Sequence, residues 1–173
     1  KFIFDLGLAF IQDLDEKAEA LKATIRKRFW LEDKGYYAYM EDEHDQLVEQ
    51  MEGLGESLVL LSDDFELSGH RRRSILDHTP VTENGIPCLW PQFDHGDVPL
   101  DDRHNSERYH NGRIWPFVMG YYAIAAARNG RPDIFSTQMV RLMELSERNN
   151  TFAEFYELDK SFPAKRRRQL WSN

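Results

Sequence analysis

Three stretches of the chain carry residue types whose spacing could do chemistry. In Phe152-Ala153-Glu154-Phe155-Tyr156-Glu157 a carboxylate stands between aromatic rings. Rings strip water from a neighbouring carboxyl group, and lost solvation favours its protonated form, which brings such a group toward acid/base work. Glu154 is therefore the first candidate for a catalytic role. In Tyr109-His110-Asn111-Gly112-Arg113-Ile114-Trp115-Pro116 an imidazole, a carboxamide and large rings precede an apolar run. Rings stack on the apolar faces of pyranoses while polar groups take the hydroxyls, so this set is suited to holding a sugar. A helix cap with packed rings is the plainer reading of the same residues.

The third stretch holds His95, Asp97, Asp101, Asp102, His104 and His110. Imidazoles and carboxylates ligate transition metals, so a metal-dependent hydrolase using His95, Asp97 and His104 is one alternative function. No two histidines have the i, i+4 spacing of His-Glu-x-x-His, and a solvated polar loop is the simpler explanation. There is no Gly-rich phosphate loop, no Gly-x-Ser-x-Gly elbow and no cysteine in a reactive setting. Neither a metal nor a cofactor is expected.

Composition narrows the ligand. The 173 residues include 22 basic and 30 acidic side chains, a net charge of −8, with 41% apolar and 13% aromatic residues. An acidic chain lacks the basic face that nucleic acids or anionic membranes need, so neither is expected as a partner. Rings beside carboxylates suit neutral, hydroxyl-rich molecules, an oligosaccharide or glycoside, although rings also simply fill cores. The apolar run from Ile114 to Ala127 is shorter than the roughly 18 residues that span a bilayer, and reads as a buried core helix. One cysteine, Cys88, cannot form an intrachain disulfide, which favours a reducing, cytoplasmic setting. The chain opens without an initiator Met or a signal-peptide layout, and reads as cut from something longer.

Helices must position these residues. Ala18, Leu21, Ile25 and Phe29 form one stripe over 15–29, with acids early and Arg26, Lys27 and Arg28 late, as the helix dipole favours. Gly35-Tyr36-Tyr37-Ala38-Tyr39-Met40 follows as an irregular or short extended stretch. Leu54, Leu58 and Leu61 predict a short buried helix over 54–62, with Gly53 and Gly55 at its mouth. A further helix over 68–78 is anchored by Ile75 and Leu76, with Arg71-Arg72-Arg73 on a solvated face. Prolines and glycines break the rhythm through 79–110, but Trp90, Phe93 and Tyr109 argue against disorder there. Pro116 suits the first turn of a helix apolar all round, with Asn111 or a neighbour as cap. Gly130 ends it, and Pro132 starts another through about Arg148 with Phe135, Met139 and Leu142 inward, making a hairpin. Residues 164–173 open one more helix. Strand signals are almost absent, so the fold class is all-α.

In this order the segments resemble the six-hairpin glycosidases, enzymes built on an (α/α)6 toroid. Residues 109–116 are similar to the Tyr-His-Asn-Gly-x-x-Trp-Pro of neutral/alkaline invertases and glycogen-debranching-type amylo-α-1,6-glucosidases. Glu154-Phe155-Tyr156 resembles their Pro-Glu-Tyr-Tyr, with Ala153 where Pro is frequent, and Arg168-Gln169-Leu170-Trp171-Ser172 resembles their Gln-x-Trp-Ser. Phe29-Trp30 with Gly35-Tyr36-Tyr37, and Gly53-Leu54-Gly55-Glu56, fall in the expected order.

The resemblance implies hydrolysis of an α-linked, glucosyl-type bond with inversion, and Glu154 as the catalytic base. It implies sugar contacts from Tyr109, His110, Asn111 and Trp115, with Trp90, Glu56, Tyr156, Gln169 and Trp171 beside them. The partner acid of these families is an Asp on an earlier loop. Residues 1–173 are accordingly expected to be the C-terminal portion of one catalytic domain, needing the rest of that domain and prone to self-association. A non-catalytic carbohydrate-binding or structural helical fragment is the other alternative.

Overall fold

A computed structural model describes residues 2–94, 110–149 and 153–158 of the chain. Helix α1 spans Phe2–Arg28 and so begins well before the expected residue 15. Its basic last turn meets the negative end of the helix dipole. Helix α2 covers Gly53–Leu61 and α3 covers Gly69–His78, with a 3₁₀ turn at Asp63–Phe65 between them. Ser68 caps α3 by accepting a hydrogen bond from the Arg71 amide. Helix α4 runs Pro116–Arg128 and α5 runs Pro132–Asn149. The chain turns between them through Asn129 and Gly130, the latter at φ +76°, and the two helices pack as the expected hairpin. The helix expected over 164–173 lies outside the described residues.

The described residues are helix-rich, as expected, but their connections add small strand pairs. Antiparallel pairs join β1 (Trp30–Leu31) to β2 (Tyr36–Tyr37), β3 (Met40–Glu41) to β4 (Leu47–Val48), and β5 (Met51–Glu52) to β6 (Leu89–Trp90). A two-residue strand is too short to show polar/apolar alternation, so pattern reading passes over it. The core gathers around Ile75, Ile86, Ile114, Trp115, Met119 and Tyr122, all fully enclosed.

Several helix faces differ from the apolar stripes. Helix α2 packs on α4 and turns Gly53, Glu56, Ser57 and Leu60 inward, leaving Leu58 48% exposed. Leu54 and Leu61 remain partly buried against the core, so only Leu58 leaves the expected stripe. On α5, Gln138 and Leu145 are buried while Met139 is exposed. Helix α4 is not buried all round, because Tyr121 and Ile124 reach the surface. Arg72 does not lie on a solvated face; it donates to the carbonyls of Leu67 and Leu60 and to Asn129 Oδ1. Arg71 sits 4.5 Å over the Trp30 ring. Asn111 does not cap α4. Trp115 occupies the cap position without a side-chain bond, which Pro116 tolerates because it has no amide to satisfy.

Gly53 sits where three segments converge. A Cβ there would stand 2.8 Å from the Pro87 carbonyl oxygen and 3.4 Å from Ile86 and Val118. Backbone cannot yield as a flexible side chain does, so Gly53→Ala is expected to lower unfolding stability by about 1–3 kcal/mol, measured by urea denaturation. An unchanged midpoint would show that the 86–88 segment is not seated as described.

Candidate functional site

Four segments far apart in sequence meet edge to edge. Strands β5 and β6 pair in the register Met51↔Trp90 and Glu52↔Leu89, and the Gly53 amide extends that contact by donating to the Cys88 carbonyl at 2.8 Å. The Cys88 amide donates in turn to the Arg113 carbonyl at 2.8 Å. Ile114 and Tyr156 then exchange both backbone bonds, at 2.9 and 2.8 Å. This ladder sets the mouth of α2, the Trp90 loop, the His-Asn-Gly motif and the Glu154 turn side by side.

Glu154 is held by its neighbours on both sides. The Ala153 amide donates to the Tyr156 hydroxyl at 2.9 Å, and that hydroxyl donates to the Leu145 carbonyl of α5 at 3.2 Å. The Arg113 guanidinium lies 4.5 Å over the Phe155 ring and pairs with Glu157 at 3.1 Å. Phe155 packs 5.8 Å from Trp115, which also stacks on the His110 ring at 5.1 Å and meets Phe117 edge-on at 5.8 Å. Glu154 itself is 0% exposed. Enclosing a carboxyl costs folding energy unless its polar atoms are satisfied inside.

The neighbouring acids are also desolvated. Glu52 accepts hydrogen bonds from the Leu54 amide at 3.1 Å and from the Gly55 amide, which caps α2. Burial pushes its carboxyl above the ordinary range, opposed by those two amides and by nearby His110. Glu56 is 3% exposed. Its Oε1 accepts from the Tyr37 amide at 2.6 Å, while its Oε2 is enclosed without a hydrogen-bond partner among the described residues. Burial pushes the Glu56 carboxyl up to about 8, the Tyr37 amide opposing and the charge of Glu52 adding to the rise.

The ladder thus gathers most of the residues singled out by sequence. Trp90 is 36% exposed and His110 faces solvent, whereas Trp115 and Tyr156 are buried. Asn111 spends its amide on the backbone of Phe93, accepting from its N–H at 2.8 Å and donating to its carbonyl at 3.0 Å. Tyr109, Gln169 and Trp171 lie outside the described residues, as do His95, Asp97 and His104. Among the described residues no group of three or more His, Cys, Asp or Glu side chains could hold a metal ion. No helix among them is long and apolar enough to cross a membrane. Two open clefts, one bordered by Thr137 and Arg141 and another by Lys27 and Asp45, are lined by none of the motif residues.

Glu52, Phe93 and Arg113 are the members that sequence reasoning missed. Glu is not among the favoured cap residues, so local pattern does not mark Glu52 as the cap of α2. Arg113 and Phe93 act through tertiary contacts that leave no local pattern.

A family model for the mannosylglycerate hydrolase MGH1-like glycoside hydrolase domain matches residues 7–172. No curated protein matches the chain.

Glu56 gives the site a pH signature. An unfolded Glu loses its proton near pH 4.3, while the folded group keeps it to about 8. Across that window the folded state binds the extra proton, so rising pH removes stability, and the loss levels off above about 8. Relative to wild type, Glu56→Gln is expected to gain stability from pH 5 to 8 with a slope approaching about 1.4 kcal/mol per unit. Urea unfolding across pH measures it, and parallel curves would contradict the burial of a protonated Glu56.

Proposed function

The chain belongs to the MGH1-like glycoside hydrolase family, whose members hydrolyse glycosidic bonds, and on that premise we propose that Glu154 is the catalytic base of an inverting reaction on an α-linked glycoside. The family's name makes mannosylglycerate, a sugar joined to a small acid, the first substrate to try. The likeness of residues 109–116 to invertases and debranching-type glucosidases is the reason to read the linkage as α. In this reading the helical hairpin is part of an (α/α)6 toroid whose loops form the site.

The observation that carries the proposal is the enclosure of Glu154 on a turn fastened to the His-Asn-Gly segment. Hydrolysis passes through an oxocarbenium-like state. Glu154 takes a proton from water as the water oxygen bonds to the anomeric carbon, and a second carboxyl gives its proton to the departing glycosidic oxygen. Inversion requires roughly 6.5–9.5 Å between the two carboxyls so that the water fits. Trp90 and His110 present rings to the sugar, and Glu56 and Tyr109, the latter outside the described residues, are further contacts in this reading. Trp115 and Tyr156 act from beneath, the first by supporting His110 and the second by closing the Glu154 turn.

Glu154→Gln keeps the shape and removes the base. In the enzyme carrying this chain, kcat on mannosylglycerate is expected to fall by about 10²–10⁴-fold, with the thermal midpoint within a few degrees of wild type. Turnover close to wild type would overturn the assignment.

A further inference from the structure

Residues 110–113 hold the Trp90 loop at several points. The Arg113 carbonyl takes the Cys88 amide, and the Asn111 side chain takes both backbone groups of Phe93. Gly112, at φ +72°, lies so close to Gln92 that a Cβ would collide with that side chain. Between these anchors, Leu89 and Trp90 are paired to Glu52 and Met51. Five of the six residues 88–93 are therefore held by a backbone bond, strand pairing or close contact, although they form a connection rather than a helix.

What that rigidity presents is aromatic. Trp90 is partly exposed, and Phe93 meets Tyr39, itself partly exposed, with ring centroids 6.4 Å apart at 57°. Asn111 is almost fully buried, and its paired bonds reproduce what a neighbouring strand would offer to the Phe93 peptide. Fixing a stacking ring before a ligand arrives lowers the ordering cost of binding.

We propose that Asn111 is a positioning residue, which fixes Phe93 so that its ring, next to Tyr39, stacks on the part of the glycoside away from the bond being cut. This rests on the glycosidase reading above. The contribution belongs to ground-state binding, and it is distinct from the proton transfers at Glu154. Removing the clamp loosens the ring, whereas removing the ring leaves the clamp nothing to position.

The test is a double-mutant cycle with mannosylglycerate in the enzyme carrying this chain. Asn111→Ala and Phe93→Ala are each expected to raise KM roughly three- to tenfold, the worth of one stacked ring, with kcat within about threefold. The double variant is expected to be no worse than the weaker single, because both remove the same contact. Phe93→Trp, which keeps a stacking face, is expected to retain the wild-type KM. Additive KM effects would overturn the proposal, as would a fall in kcat at constant KM. Should Asn111→Ala fail to fold, Phe93→Ala decides alone, and an unchanged KM refutes the platform. A catalytically dead Glu154→Gln beside an unaltered Phe93→Ala would leave the glycosidase reading standing and remove only this proposal.

Discussion

A backbone ladder across four loops is the constraint on which the rest depends. Gly53 to Cys88, Cys88 to Arg113 and Ile114 to Tyr156 are each backbone amide-to-carbonyl bonds, so they fix the chain whatever side chains it carries. Side chains then inherit their directions. Glu52 and Glu56 rise from the mouth of α2, Trp90 projects from β6, and His110 and Trp115 flank the strand-like turn into α4. Glu154 sits one position before the Phe155-Tyr156 pair that closes the far edge. No regular sheet is built, and none is needed to bring distant residues into one neighbourhood.

The ladder is supported by a polar interior that is unusual in its content. Asn111, Arg113, Glu56 and Glu154 are all almost fully enclosed. Burying such groups is favourable only when their hydrogen bonds are remade inside. Asn111 remakes its bonds on Phe93 and Arg113 pairs with Glu157 beneath an aromatic ring, so each polar group also tethers one loop to the next. Glu56 follows a different course, keeping its proton well above the ordinary carboxyl range. A neutral carboxyl avoids most of the cost of burying a charge while still accepting the Tyr37 amide. The same region therefore combines tethering hydrogen bonds with enclosed carboxyl groups.

Much of the helical frame was legible in the sequence because helix ends carry local chemistry. Ser68, Pro116, Gly130 and Pro132 each mark a boundary that the structure has. Faces were less legible. Of the stripe of Leu54, Leu58 and Leu61, the first and last pack against the core, but Leu58 is exposed, and the face fully buried on α2 is the polar and small one of Gly53, Glu56 and Ser57 with Leu60. The site was legible as a set of motifs in order but not as an arrangement. Two-residue strands have no periodicity, and the partner of Asn111 lies eighteen residues back in the chain, so the ladder exists only as tertiary structure.

The most direct test of this account is native-state hydrogen exchange at the ladder amides of Gly53, Cys88, Ile114 and Tyr156. If the four loops form one cooperative unit, these amides share similar, strong protection and lose it together as denaturant is added. Tyr156 exchanging at the rate of an open loop while Gly53 and Cys88 stay protected would contradict it, because the Glu154 turn would then not be part of the unit that positions the other motifs.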